Sequence, residues 1–113
     1  MSLSSIQKTR MAAAAAKPPD PPPYLSKQMK AFWSGVFELK NLQPYQILIL
    51  AKACEAFDRG EQARRILKRE GLTYEDRFKQ PRSRPEVAIE RDSKALFAKL
   101  LSQIHLHNPY WES

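Results

Sequence analysis

Residues 44 to 70 read PYQILILAKACEAFDRGEQARRILKRE, and this stretch predicts one long amphipathic helix. Pro44 suits the first helical turn, where a missing N–H costs nothing, and Gly71 follows as a terminator. Gly60 interrupts the pattern, so we expect either a closely packed neighbouring backbone there or a bend. The apolar side chains recur at steps of three and four residues: Ile47, Leu50, Cys54, Phe57, Ala63, Ile66 and Leu67.

Two shorter helices are predicted to flank the long one. Ser26 can cap a helix over residues 27–40, whose apolar side chains share one face. Ser83 and Glu86 have the spacing of a capping box, which opens a third helix from Pro85 or Glu86 to about Ile104. The chain is therefore predicted to be all-α, a three-helix subunit with a long central helix and a basic loop before the third helix.

The loop before the third helix, LTYEDRFKQPRSR over residues 72–84, is basic. The alternation of Tyr74, Asp76 and Phe78 is compatible with a short hairpin strand. Basic side chains interleaved with aromatic ones are typical of a loop that contacts nucleic acid, and an ordinary solvated loop anchored by its two aromatics is the equal alternative. Against two acidic residues, the loop carries Arg77, Lys79, Arg82 and Arg84.

Length and charge limit the partners of this chain. With 113 residues it forms one domain at most, and a net charge of +7 favours a polyanion such as nucleic acid, or an anionic membrane surface. No apolar run approaches the roughly 20 residues that span a bilayer, and no secretory signal is recognisable, so no membrane is predicted as a partner. The single cysteine fits a reducing compartment, so the cytoplasm is expected.

The sequence shows no constellation of residues for catalysis. It lacks a phosphate-binding glycine loop, an HExxH motif and a CxxC pair. His105 and His107 are two residues apart, a spacing that does not place both on one helix face, so no metal site is predicted. Cys54 lies on the apolar stripe and is predicted to be a small buried side chain rather than a nucleophile. We therefore predict no enzyme activity, no catalytic residue and no cofactor.

Three segments are predicted along the chain. Residues 1–25 are a flexible basic arm rich in proline and alanine, residues 26–107 a helical domain for oligomerisation and DNA engagement, and residues 108–113 a short tail. A helix over residues 44–70 would be roughly 40 Å long, and the rest of so short a chain cannot cover the apolar face of a helix of that length. We therefore expect other copies to cover the surplus apolar surface. The predicted interface residues are Phe32, Trp33, Phe37, Leu48 and Ile49.

Two segments resemble the small terminase subunits of tailed bacteriophages. They are ACEAFDRGEQARRILKREGL over residues 53–72 and PEVAIERDSKALFAKLLSQIHL over residues 85–106. The resemblance is to a compact, all-helical branch that pairs a Cys-x-Ala-[Phe/Tyr]-Asp helix with a following Pro-x-x-x-Ile helix. Lys30-Ala31-Phe32-Trp33 also fits the opening helix of that family. The matching residues of the two helices are Cys54, Ala56, Phe57 and Asp58, then Pro85 and Ile89.

The resemblance implies a role in viral genome packaging in the host cytoplasm. Proteins of this family assemble as homo-oligomeric rings, engage double-stranded viral DNA and present it to the large terminase, whose ATPase and nuclease activities they modulate. Two other functions stay open, a free-standing nucleic-acid-binding regulator and a virion adaptor that does not bind DNA. A regulator would need an exposed recognition helix, and the helix after the first turn instead begins with apolar PYQILIL.

Basic residues at the end of the long helix and in the loop are the predicted DNA contacts. Phosphate contacts of this kind give affinity and salt dependence with little sequence readout. Replacing Arg82 and Arg84 with alanine should then weaken binding to all duplexes and flatten the salt slope by about one unit per lost contact. The full predicted set is Lys68, Arg69, Arg77, Lys79, Arg82 and Arg84.

Overall fold

Three helices and one β-hairpin follow each other in the structure, a computed structural model that describes residues 18–104. The prediction of a mostly helical subunit with a long central helix is confirmed. The basic loop differs from the all-α prediction, because it contains two short antiparallel strands. The elements are α1 (Lys27–Leu39), α2 (Pro44–Glu70), β1 (Thr73–Glu75), β2 (Pro81–Ser83) and α3 (Pro85–Ile104).

Helix α1 begins at the predicted cap and is attached there to α2. The Ser26 side chain accepts a hydrogen bond from the Met29 N–H (3.1 Å). Asp58, on α2, accepts from both the backbone N–H and the hydroxyl of Ser26, at 2.8 and 2.6 Å. The first turn of α1 is therefore closed from two sides, by its own cap and by a carboxylate 32 residues along the chain.

Helices α2 and α3 pack closely and run antiparallel. A Cβ added at Gly60 would lie only 3.1 Å from Ser93 Cβ on α3, so the expected close approach of a neighbouring element is confirmed. Near the other end of the pair, the Gln46 side-chain amide donates to the Ile104 carbonyl (3.4 Å), and Lys40 Nζ donates to the same oxygen (3.1 Å). These two donors satisfy a carbonyl that the last turn of α3 leaves without a partner in the helix.

The third helix spans Pro85–Ile104, as expected, but its first turn is capped differently from the prediction. Ser83 lies in β2, and its hydroxyl donates to the Arg84 carbonyl (3.5 Å), so the predicted Ser83–Glu86 capping box is wrong. The Val87 N–H donates to the same Arg84 carbonyl (3.0 Å), which opens the first turn. The hairpin therefore leads directly into α3.

The core lies where α1 crosses the first half of α2 and the end of α3. Trp33 and Leu50 are among its most buried side chains, with Trp33 3% exposed. Phe97 joins the three helices, because its ring centroid lies 5.8 Å from that of Phe32 and 5.2 Å from that of Phe57. The buried cluster comprises Leu25, Met29, Trp33, Val36, Leu50, Cys54 and Ile104.

The predicted arm and tail are described only in part. Residues 18–25 lie against the helices: Trp33 Nε1 donates to the Pro19 carbonyl (2.9 Å), and Leu25 is buried. The Tyr24 hydroxyl donates to Glu55 (2.5 Å), a hydrogen bond that raises the pKa of the tyrosine. Residues 1–17 and the tail at 108–113 lie outside the described residues. Within residues 18–104, no helix combines the length and apolarity that crossing a bilayer requires.

Candidate nucleic-acid interface

The basic loop predicted to contact nucleic acid is an exposed hairpin at the end of α2. Thr73 pairs with Ser83 and Glu75 with Pro81, so residues 76–80 form the turn. Every residue of both strands is exposed. A hairpin of this size has no apolar face packed on the protein, so its shape must come from polar contacts.

Asp76 organises the turn. Its Oδ1 accepts from the backbone N–H groups of Phe78 (2.8 Å) and Gln80 (2.9 Å), and its Oδ2 accepts from Arg82 Nε (2.9 Å). The Gln80 N–H and the Arg82 guanidinium, in that order, hold the pKa of this carboxyl below its usual value. The positive charge of Arg82 is therefore paired within the hairpin.

Arg84 connects the base of the hairpin to the end of α2. Its Nη2 donates to the Glu70 carbonyl (3.3 Å), and its guanidinium lies over the Tyr74 ring, with Cζ 5.8 Å from the centroid. A cation at a helix C-terminus satisfies an orphan carbonyl and complements the helix dipole. The half-buried Arg84 is thus part of the structure that positions the hairpin.

The tip of the hairpin carries two basic side chains and an aromatic one. Arg77, Phe78 and Lys79 are all exposed, and Phe78 retains 67% of its accessible surface. The Arg77 guanidinium lies 4.8 Å from the centroid of the Phe78 ring, a cation–π distance. Lys79 adopts a positive φ of 61°, a left-handed conformation that favours glycine.

The remaining two predicted DNA contacts lie in the last turn of α2. Lys68 is exposed, and Arg69 Nε forms an ion pair with the Glu70 carboxylate (3.0 Å). The structure therefore brings the six predicted residues to the hairpin end of α2. Their surroundings differ. Arg69, Arg82 and Arg84 have partners in the protein, whereas Arg77 and Lys79 at the tip of the hairpin are exposed.

Comparison with known families adds an independent observation. Residues 27–108 match the family described as phage terminase, small subunit. This match covers most of the 113 residues and includes the three helices and the hairpin. The chain belongs to the phage terminase small subunit family. This small terminase subunit accordingly has a role in phage DNA packaging, within the infected host cell. No curated protein and no solved structure matches it significantly.

The residues predicted to form the oligomer interface of this small terminase subunit differ in exposure. Trp33 belongs to the core of its own subunit, so its side chain has almost no surface left for a neighbouring copy. Phe32, Phe37 and Ile49 are half-buried against that core. Leu48 is 69% exposed and has most of its side chain free for a neighbour.

The structure describes Cys54 and most of the side chains that could bind a metal ion. Cys54 is fully buried, as predicted, and burial, with smaller contributions from Asp58 and Glu55, raises the pKa of its thiol to about 12. The thiol is therefore protonated at neutral pH and is a poor nucleophile. Over residues 18–104, no group of acidic, histidine and cysteine side chains is arranged to hold a metal ion. His105 and His107 lie outside the described residues.

Sequence reasoning named Asp58 and Asp76 but did not predict their hydrogen bonds, which fix the start of α1 and the turn of the hairpin. For Asp76 a local signal exists, because an aspartate that accepts from the N–H two residues later is a common turn motif. For Asp58 there is no local signal, since its partner Ser26 lies 32 residues away.

Proposed function

We propose that this small terminase subunit binds double-stranded DNA through its hairpin, assembles into a homo-oligomeric ring and delivers the genome to the large terminase. In this proposal it is a non-catalytic regulator in the host cytoplasm, and the ATPase and nuclease chemistry belongs to the large subunit. Family membership supplies the packaging role. The observation that carries the DNA-binding part is the exposed basic tip of the hairpin.

Charge at the tip supports DNA binding. Arg82 is paired with Asp76, whereas no ion pair among residues 18–104 involves Arg77 or Lys79. Two exposed cations on one turn can neutralise phosphates without first giving up a carboxylate partner. Each phosphate neutralised releases counterions, which gives affinity with a steep salt dependence and little sequence preference.

Exposed apolar side chains at two places on the subunit support assembly into a ring. Leu48 is exposed near the start of α2, together with Leu39 and Tyr45. Ile89 and Leu96 are exposed on α3 on either side of Ser93, which contacts α2 at Gly60. With a rise of about 1.5 Å per residue, Leu48 and Gly60 are roughly 18 Å apart along α2. Exposed apolar side chains at two separate places favour a head-to-tail contact between copies, and such contacts form a ring when the rotation between neighbouring copies closes.

The DNA-binding proposal is tested by measuring affinity for a short duplex across a salt series by fluorescence anisotropy. The double variant Arg77→Ala/Lys79→Ala should weaken binding and reduce the slope of log affinity against log salt by about two units. Lys27→Ala/Lys99→Ala is the matched control, because it removes the same charge from exposed positions on α1 and α3. Equal losses in both variants would show that only net charge matters and would remove the tip from the site.

The ring is tested by the mass of the protein in solution, measured by light scattering at micromolar concentration. Leu48→Asp and Leu96→Asp should each reduce the mass toward that of one chain, because each would break one side of a head-to-tail contact. A wild-type mass of one chain would contradict the proposal. Absence of DNA binding in the same preparation would favour the virion adaptor.

A further inference from the structure

We infer that Phe78 is a wedge that contacts a base step of the bound duplex and gives this subunit a preference for easily deformed DNA. The inference rests on the proposed function, because it requires that the hairpin binds DNA. The proposed phosphate contacts depend on charge alone, and the inference adds Phe78 as a residue that responds to the shape of the DNA.

Phe78 is placed differently from every other phenylalanine of the chain. The sequence contains five, and Phe32, Phe37, Phe57 and Phe97 all pack against the core, whereas Phe78 is 67% exposed at the tip. A single exposed apolar side chain is ordinary on a protein surface. This one stands between two exposed basic residues at the turn of a hairpin whose two strands are also exposed.

The backbone around Phe78 is held in one conformation by the turn itself. The Phe78 N–H donates to Asp76 Oδ1 (2.8 Å), and the Lys79 N–H donates to the Asp76 carbonyl (2.9 Å). Lys79 retains a left-handed φ of 61° where glycine would fit without strain. Strained residues of this kind cluster at functional sites, and a rigid tip presents its side chains to a ligand at a lower entropic cost.

The three tip residues have complementary chemistry for a bent duplex. Proteins that deform DNA insert an apolar side chain between base pairs and offset the loss of base stacking by contacts to the flanking phosphates. Phe78 can supply the inserted ring, and Arg77 and Lys79 can supply the phosphate contacts. In the free subunit the Arg77 guanidinium lies 4.8 Å from the centroid of the Phe78 ring, so both groups can meet the same short stretch of DNA.

Deformability of the DNA is the property that such a wedge reads. Pyrimidine–purine steps such as TA unstack easily, whereas A-tracts are stiff. We therefore expect tighter binding to a duplex with central TA steps than to an A-tract duplex of equal length and charge. Phe78→Ala should lose about five- to tenfold in affinity for the TA duplex and about twofold or less for the A-tract duplex, since aromatic stacking contributes little where the bases stay stacked.

The direct readout is the fluorescence of 2-aminopurine at the central step of the TA duplex, which rises when the base unstacks. Wild type and Phe78→Trp should raise it, and Phe78→Ala should not, at protein concentrations that saturate the duplex. Circular dichroism of each variant checks that the helices are intact. Leu72→Ala is the control for losing an exposed apolar side chain away from the tip, at the base of the hairpin, and it should leave the signal unchanged.

The outcomes separate this inference from the function on which it rests. Salt-dependent binding with equal affinity for both duplexes, and no fluorescence change, would overturn the wedge and leave the DNA-binding hairpin in place. No binding of either duplex at low salt would overturn the hairpin and the wedge together. If Phe78→Ala left DNA binding unchanged but weakened binding to the large terminase, the Phe78 side chain would be a protein contact. That result would also overturn the inference.

Discussion

The two ends of this subunit use apolar and polar side chains in opposite ways. At the α1 end, apolar side chains fill the interior, and Asp58 fixes the start of one helix against another. At the hairpin end, a carboxylate with its hydrogen-bond partners forms the centre of the turn, and the aromatic ring of Phe78 is outside. The difference shows that burial stabilises the helical end, whereas polar contacts shape the hairpin end and leave its tip exposed, as our proposal of a binding surface requires.

The largest effect should come from the helical core. Leu50→Ala removes a fully buried side chain and should lower the free energy of unfolding by about 3 kcal/mol, measured by urea denaturation. Leu72→Ala, the same change at an exposed position just after this helix, should change it by about 0.5 kcal/mol or less. Denaturation is repeated at several protein concentrations, so that any contribution of the proposed assembly is separated from folding. Equal effects of the two variants would contradict the placement of the core.

A smaller effect is expected where a polar group stabilises the helical end. Asp58→Ala removes both hydrogen bonds to Ser26 and should cost about 1–2 kcal/mol of unfolding free energy, by the same measurement. Asp92→Ala is the control, because Asp92 is exposed and, within residues 18–104, pairs only with its neighbour Arg91. Similar costs for the two variants would mean that the Ser26 contact does not stabilise the fold.

How much the sequence predicted depends on the range of the interactions involved. The long helix, its ends at Pro44 and Glu70, and the cap at Ser26 were predicted, because periodicity, proline, glycine and caps act within a few residues. The strand pairing was not fully predicted, since it depends on which residues of a loop face each other. The sequence also did not predict that Trp33 lies in the core and Leu48 on the surface, because this depends on how the three helices pack.

The same limit applies to the candidate site. Composition identified the basic loop, and all four of its cations were treated as equivalent DNA contacts. In the structure, Arg82 pairs with Asp76, and Arg84 donates to the Glu70 carbonyl. A count of charges in the sequence cannot predict these contacts, because they depend on the three-dimensional arrangement of the hairpin. As a result, the alanine test first suggested for Arg82 and Arg84 would disturb the hairpin itself, and Arg77 and Lys79 are the better positions.

Lys79 allows stability and binding to be separated at the hairpin end. Lys79→Gly should stabilise the hairpin by up to about 1 kcal/mol, because a left-handed conformation costs a non-glycine residue about 1–2 kcal/mol. The same change should weaken DNA binding, since it removes a tip cation. Lys79→Ala removes the charge without relieving the backbone. The stability of the hairpin in the two variants is compared by the rate of hydrogen exchange at the Gln80 amide. Faster exchange in Lys79→Gly than in Lys79→Ala would contradict the claim that the Lys79 backbone is strained.

The smallest effect is a local pH dependence at Asp76. Its pKa is lowered in the folded hairpin, so its stabilising contribution is present above the unfolded pKa of about 3.9 and is lost as the pH falls through the lower folded value. The amide chemical shifts of Phe78 and Gln80 should therefore change with a midpoint below the ordinary aspartate value. Asp76→Asn should abolish this transition. A midpoint at or above the ordinary value would show that the carboxylate does not organise the turn.

The central claim, that the hairpin tip is for binding and not for stability, is tested most directly by one variant measured in two ways. Arg77→Ala/Lys79→Ala should leave the free energy of unfolding within about 0.5 kcal/mol of wild type, because both side chains are exposed. In the same preparation, the slope of log DNA affinity against log salt should fall by about two units. An unchanged slope and affinity, at any stability, would contradict the account.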